Sequence, residues 1–334
     1  MKVHMVCETP FGMKGNGVYT AYIDSLELLR EKGDVEVVVN NEGEGEVFHS
    51  HTYGPYYFWK GRKYKGKRIF TAHVIPDSGK GSLPLWRIGM PLYRWYLRMV
   101  YNYADICIAI SPMVEQAIRD LGSKTRIVSL ANPILLDHWK FTPEKRRMGR
   151  ERFGFREDDF VVLGVGQLIE RKGVEDFLDV AKAIPEANFI WAGGRPFGPL
   201  SDGLVRIHNH IAKATSNVIF TGMLGLEVMP LLYAAADMMI FTSYQENCPM
   251  APLEAAACGL PVIFRDLKEY ALLYNHPYIK AASTEEFIGL TRKMINDPDL
   301  RQSGKEMSAR LITQFDKDHI REELISLYHS LVMN

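Results

Sequence analysis

Two glutamates, Glu246 and Glu254, stand eight positions apart in SYQENCPMAPLEAAACGLP, the first in the loop after the strand-like MMIFTS and the second opening a helix of small residues, Glu254 to Cys258. A helix N-terminus and the loop before it present unpaired amide donors where an anion or a polar ligand can dock. Buried carboxylates beside such donors can accept hydrogen bonds from the hydroxyls of a sugar or a ribose. The plain alternative is one surface glutamate in a loop and a second that favours the helix dipole. Glycines in GMKGNGV, among them Gly15 and Gly17, precede the first helical pattern; they let backbone amides approach a phosphate or a sugar, or simply make a turn. His73 ends the strand-like RIFTAH, where a histidine is either a satisfied core residue or a site group. Metal chemistry has little support: His49 and His51 alternate with no third ligand nearby, and Asp297 and Asp299 in NDPDL read as a turn between helices. No divalent ion or other cofactor is expected.

The elements that must position these groups alternate from the first residue. KVHMVCE, VEVVVN, VFHS and RIFTAH read as strands, with a helical pattern from Val18 to Lys32 between the first two. A long helix from about Pro84 to Tyr103, then ICIAI, a helix opening at Ser111-Pro112, and RIVSL continue the alternation. A second series, DFVVLGVG, FIWAGG, NVIFTG and MMIFTS, alternates with helices such as Val174 to Ile184 and Glu227 to Ala235. Such alternation favours parallel sheets with helices on both faces. Between them PEKRRMGRERFGFREDD is dense in charge and without an apolar period, so residues 142–158 read as a linker.

At 334 residues the chain fits two α/β domains of about 150 residues each. Forty basic residues balance forty acidic ones, so no global charge points to nucleic acid. The four cysteines show no CxxC pairing and sit mostly in apolar runs, which suits a reducing, cytoplasmic compartment. The N-terminal apolar stretch is too short for a signal peptide, and no apolar run reaches the length of about 18 residues that spanning a bilayer needs.

The segment from Glu246 to Glu254, with the AAACGLPV that follows, resembles the E-x7-E motif of the retaining family 4 glycosyltransferases of GT-B fold. VLGVGQLIERKGVEDFL followed by FIWAGGRPFG is similar to that family's first strand, phosphate turn and glycine-rich second strand, so the resemblance covers nearly the whole chain. It implies two Rossmann-like domains facing across a cleft: an acceptor domain over 1–141, completed by a C-terminal helix at about 315–334, and a nucleotide-sugar domain over 159–314. It implies that Glu254 holds the ribose hydroxyls and that Glu246 faces the donor sugar, assisted by backbone amides of Asn247, Cys248, Pro249 and Met250. Lys172 would neutralise the diphosphate as the leaving nucleotide gains charge. His73 would stand near the donor sugar, and Gly15 and Gly17 would border donor phosphate and acceptor. Where the family usually has an arginine, five residues before the lysine, this chain has Gln167; either Arg171 supplies the second charge or Gln167 hydrogen-bonds a phosphate as a neutral donor. The retaining reaction in this family is explained by front-face attack, in which positioning and electrostatics do most of the catalysis.

Residues 60–103 hold ten Lys or Arg against one acid, Asp77. In the long helix Leu85, Ile88, Leu92, Trp95 and Met99 form an apolar stripe expected to face the core, with Arg87, Arg94 and Arg98 aligned on roughly the opposite face within about 40° at 100° per residue. Trp86, Tyr93 and Tyr101 lie beside the arginines, and the loop KGRKYKGKR brings Lys63, Lys65 and Lys67. An anionic membrane surface attracts such a face; a solvated helix surface is the plain alternative. The bias, and GQLIERKGVEDFLDVAKAIPEANFIWAGG in particular, resembles the bacterial members that glycosylate diacylglycerol lipids. The expectation is a hexosyltransferase moving a sugar from a UDP-sugar to a glycolipid such as monoglycosyl-diacylglycerol, peripheral on the inner face of the cell membrane. The alternatives are transfer to a capsule, teichoic acid or protein glycan, and a catalytically silent sugar-nucleotide-binding subunit.

Overall fold

The computed structural model describes residues 1–8, 17–52, 54–79, 86–194 and 204–333, with backbone alone at 86, 87, 204 and 205. The described residues fall into two compact units: those up to Gly79, from 86 to Leu135 and from Phe315 onward make the first, and Leu136–Gln314 the second.

In the first unit six strands, β1 (Lys2–Val6), β2 (Glu36–Val39), β3 (Val47–Ser50), β4 (Lys67–Ala72), β5 (Ile106–Ala109) and β6 (Arg126–Ser129), form a parallel sheet in the order β2-β1-β3-β4-β5-β6. Helices α1 (Gly17–Arg30), α2 (Pro55–Arg62), α3 (Trp86–Tyr103) and α4 (Pro112–Asp120) connect them. Strands such as β3 and β5 are buried at every residue, as continuous apolar runs in a sheet covered on both faces should be.

The second unit begins with α5 (Leu136–Trp139) and α6 (Pro143–Phe153). It continues through β7 (Val161–Val165), α7 (Val174–Ala183), β8 (Asn188–Ala192), α8 (Leu204–Ala212), β9 (Val218–Gly222), α9 (Met229–Ala235) and β10 (Met238–Phe241). Then come α10 (Met250–Ala257), β11 (Val262–Arg265), α11 (Lys268–Leu273), β12 (Ile279–Ala281), α12 (Thr284–Asn296) and α13 (Pro298–Ile312). Its parallel sheet runs β12-β11-β10-β7-β8-β9, so the order reverses between β7 and β10. Doubly wound sheets bind ligands beyond the carboxyl ends of the strands at such a reversal. The last helix, α14 (Lys317–Val332), belongs to the first unit, where Ile320, Leu324, Leu327 and Leu331 join the core formed by Val3, Val47, Ile69 and Leu28.

Four expectations need correction. Residues 142–158 are not a linker: 143–153 are α6, within the second unit. Thr142 caps it, accepting from Lys145 N at 3.1 Å, and Gly154 closes it at φ +77°. Its charge hides a buried face, because Arg150 is 2% exposed and donates to Asp237 Oδ2 at 2.9 Å. The strand series of the second unit also extends to β11 and β12. Along α3 the stripe of Ile88, Leu92 and Trp95 faces outward, at 79, 67 and 58% exposure, while Leu97, Val100 and Tyr101 are buried. Tyr101 fixes this rotation: its ring packs 5.7 Å from Phe70 of β4 and its hydroxyl donates to Val74 O. It is therefore a core residue and no neighbour of a surface stripe. The lysine loop, finally, is mostly regular structure, with Lys60 and Arg62 ending α2, Lys63 its C-cap and Lys67 in β4.

Candidate active site

The reversal between β7 and β10 gathers the second unit's polar groups. After β7 the chain makes a 3-10 turn over Glu170–Lys172, and Gly173 opens α7 at φ +67°. A Cβ on Gly173 would stand 2.2 Å from Thr242 O, just past β10. Only a glycine lets this turn lie against that strand end, because both the left-handed backbone and the close approach exclude a side chain.

That contact sets Lys172 beside the loop after β10, where its ammonium and the Glu246 carboxylate form a short ion pair. Ser243 Oγ donates to Glu246 Oε1 at 2.6 Å, Arg171 Nη1 lies 3.8 Å from Glu246 Oε2, and the same nitrogen donates to Gln245 O at 2.5 Å. Burial, the largest single influence on Glu246, pushes its carboxyl upward. Lys172 and Arg171, with the hydrogen bonds, outweigh it and hold the group below the usual carboxylate range. Burial draws Lys172 below its ordinary value against the opposing pull of Glu246. The pair is ionic, and it is nearly closed off from water, which strengthens every interaction within it. Arg171 Nε is buried without a partner among the described residues, a donor that a ligand's acceptor atom can satisfy. Gln167, half-buried at the end of β7, makes no side-chain hydrogen bond among the described residues.

Helix α10 starts at Met250, so Glu254 lies in its second turn and does not open it as the sequence reading had it. The chain's own preference for proline at a helix entrance moves the start: Pro249 is the N-cap, and Pro252 lies within the first turn. Pro249 has no N–H, which leaves Asn247, Cys248 and Met250 as the amide donors of this segment. Cys248 and Met250 are buried, and Asn247 Oδ1 accepts from Gln245 Nε2 at 2.8 Å. Glu254 is 5% exposed and accepts from Tyr233 Oη at 2.5 Å. Burial pushes its carboxyl up to about 7, and the tyrosine bond acts in the opposite direction. Tyr233 is held edge-on by Trp139 at 5.5 Å. Sequence reasoning missed this tyrosine, for nothing in LLYAAAD marks one apolar-helix hydroxyl as the partner of a residue 21 positions on.

In the first unit His73 follows β4 and is buried. Its Nε2 meets His51 Nδ1 at 3.1 Å, and the two rings stack with centroids 5.3 Å apart. His49, with its ring 4.5 Å from that of His51, bonds Tyr328 Oη of α14 at 2.6 Å through Nδ1 and Thr71 Oγ1 at 2.7 Å through Nε2. Burial lowers His49 and His73 to about 3 and drives His51 down as well, so all three are neutral at neutral pH. The signal for this trio was present in HSH, since alternate residues of a strand share a face; it makes a stack of imidazoles. Among the described residues no cluster of His, Cys, Asp or Glu is arranged to hold a metal ion. Gly17 opens α1 and is exposed, and Gly15 lies outside the described residues, as do the side chains of Trp86 and Arg87. Arg94, Arg98, Lys63 and Lys65 are exposed and Lys67 is half-buried. No described helix is long and apolar enough to cross a membrane.

Two doubly wound units, with a buried cation and carboxylates gathered at a strand reversal, are the frame of an enzyme that handles nucleotide-linked groups. Residues 145–310 match the family described as glycosyl transferases group 1, and residues 11–138 match glycosyltransferase family 4. The chain belongs to family 4 of the glycosyltransferases, and its fold is GT-B. It is 29% identical over 320 residues to an alpha-galactosylglucosyldiacylglycerol synthase of Streptococcus pneumoniae, covering 94% of this chain and 86% of that one. To a processive diacylglycerol alpha-glucosyltransferase of Acholeplasma laidlawii it is 26% identical over 337 residues, with 99% of each chain covered. Among solved structures, Anabaena HepE in complex with UDP and glucose superposes with a TM-score of 0.78 at 19% identity, over 99% of this chain and all of the other.

Proposed function

We propose that this glycosyltransferase moves a hexose from a UDP-sugar onto a membrane glycolipid such as a monoglycosyl-diacylglycerol, with retention of anomeric configuration and without a divalent ion. The observation that carries the donor half is the ion pair at the β7–β10 reversal. A lysine already matched to a carboxylate in a nearly dry site is preorganised to accept a diphosphate in that carboxylate's place. In this reading Lys172, the unsatisfied Arg171 Nε and the amides that open α7 balance the diphosphate. Gln167 is a neutral neighbour of the same phosphates. Glu254 takes the ribose hydroxyls. Glu246, released from Lys172, faces the sugar together with the amides of Asn247, Cys248 and Met250.

The bond from the anomeric carbon to the diphosphate oxygen breaks while that from the acceptor oxygen forms on the same face. The acceptor's proton passes to the departing phosphate. Likeness along the full chain to two glycosyltransferases named for diacylglycerol acceptors and alpha products supports the lipid acceptor and retention, since UDP-hexose donors carry an alpha linkage. The exposed Arg94, Arg98, Lys63 and Lys65 of the first unit would hold the enzyme at an anionic bilayer, on the cytoplasmic side where nucleotide sugars are made.

A transfer assay offers UDP-glucose and UDP-galactose with diacylglycerol, monoglucosyl-diacylglycerol or no lipid. Product on monoglucosyl-diacylglycerol with one of the two donors is the expected result. Turnover of donor with no lipid product, while a soluble glycan is elongated, would move the acceptor assignment to a polymer.

A further inference from the structure

On the first unit, apart from the histidine stack, α2, β4 and α3 border an open cavity of about 470 Å³ lined by Arg62, Arg68, Arg98, Asn102, Trp95, Met99 and Tyr103. Its charged lining is entirely cationic. Arg68 is held by Asp105, to which Nη2 donates at 3.2 Å and Nε at 3.4 Å. Arg62 and Arg98 have no carboxylate within ion-pair distance among the described residues, although each is braced. The Arg62 guanidinium lies 5.5 Å from the Trp59 ring centre, and that of Arg98 leans on Gly122, where a Cβ would stand 3.6 Å from its Cζ. Asn102 Oδ1 accepts from Lys124 N at 2.9 Å and from Ser123 Oγ at 3.0 Å, so the group left to offer is its NH2. Three guanidinium forks and an amide donor, with one carboxylate already engaged, form a site for a phosphate-bearing anion.

The rim identifies the source of that phosphate. Trp95 and Met99 continue the outward stripe of Ile88 and Leu92, and α2 adds Trp59 at 55% exposure. A free phosphate would use the arginines and leave this apolar ridge in water, whereas a bilayer covers both, taking the ridge at the boundary of headgroups and acyl chains. We propose that the cavity binds the headgroup phosphate of an anionic phospholipid while Ile88, Leu92, Trp95 and Trp59 insert beside it. The proposal rests on the membrane contact proposed above and goes further by assigning it a site and an apolar anchor.

The test uses the full chain and phosphatidylcholine vesicles with and without phosphatidylglycerol, in co-sedimentation at increasing salt. Arg62→Gln and Arg98→Gln line the cavity; Arg94→Gln removes the same charge from the same helix but not from the lining. Thermal melts confirm that each variant folds, and Arg68 is left alone because it pairs with Asp105. A diffuse surface attraction predicts about fivefold weaker binding for each lost charge, wherever it sits. The site predicts that Arg62→Gln and Arg98→Gln each weaken binding to phosphatidylglycerol vesicles about tenfold more than Arg94→Gln does, through loss of bidentate contacts. It also predicts that part of the binding persists near 1 M salt, where the Debye length is about 3 Å, and that Trp95→Ala removes this part. Equal losses from all three arginines would overturn the cavity assignment while leaving the membrane contact standing. Absence of any binding by the parent chain would overturn both. Calorimetric binding of inorganic phosphate, abolished by Arg98→Gln, in a chain that ignores the vesicles would make the cavity a soluble-anion site and refute the lipid.

Discussion

Tyr233 donates its phenolic hydrogen to a Glu254 oxygen 2.5 Å away, and this bond draws Glu254 back toward ionisation against the effect of burial. A ribose diol donates its hydroxyls to a carboxylate better than to a carboxylic acid. Under the role proposed for Glu254 at the ribose, the tyrosine is a positioning residue that favours the carboxyl's charged form.

Donor capture should follow that charge. With Glu254 titrating at about 7 in the unliganded chain, kcat/KM for the donor should fall as pH drops through 7, approaching tenfold per unit well below it. Tyr233→Phe should move the midpoint upward, and Glu254→Gln should flatten this limb at a lower level. A parent profile flat from pH 6 to 8 would remove Glu254 from donor binding.

Stability carries the same sign. A carboxyl raised from 4.5 to about 7 holds its proton more tightly when folded, so its support is complete at low pH and is lost as pH rises through the folded value. Relative to Glu254→Gln, the unliganded parent should lose up to about 3 kcal/mol between pH 4.5 and 8, read from denaturant melts across pH.

The two glutamates should separate kinetically. Contacts to ribose are uniform through the reaction whereas those to the sugar change with it, so Glu254→Ala should chiefly raise the donor KM and Glu246→Ala should chiefly lower kcat. Near-parent kinetics in both variants would remove the core of the site.

Breaking the Lys172–Glu246 pair on one side strands a buried charge. Lys172→Met should cost about 3–5 kcal/mol of stability, and adding Glu246→Gln should restore most of it. Transfer should stay abolished in the double variant, because the charge proposed to meet the diphosphate has not returned. Melts that show additive losses would mean that the two side chains act independently.

If the diphosphate's counter-charge comes from Lys172, Arg171 and the start of α7, as proposed, activity should survive EDTA. Loss on chelation that is restored by Mg2+ or Mn2+ would show that a metal supplies it.

Strands β1 to β10 were legible because each is a short run of apolar and β-branched residues bounded by turns, and so was the lysine turn, whose Arg171-Lys172-Gly173 adjacency is local. The misread elements share a different physics. The period of α3 reveals an apolar stripe but not which of its two apolar faces meets the sheet. That choice falls to Tyr101 and its partners Phe70 and Val74, which lie about 30 residues upstream. Helix α6 carried local capping signals in Thr142, Pro143 and Gly154, yet its buried face depends on Arg150 finding Asp237 87 positions later. The link from Tyr233 to Glu254 was equally invisible, because pairing at a distance is a property of the fold and not of any window of sequence.

Helix α14 also sets an order of events during synthesis. The described residues of the second unit occupy one uninterrupted stretch, Leu136–Gln314, which can assemble once Gln314 has left the ribosome. The first unit, translated earlier, still lacks the leucines of α14 and the Tyr328 hydroxyl that holds His49. The half of the enzyme made first is therefore the half completed last, and its exposed core edge must wait through the making of about 180 residues, some 9–36 seconds at 5–20 residues per second. A stalled or clipped nascent chain would thus present a finished second unit joined to an open first unit, a state that chaperones and proteases can recognise.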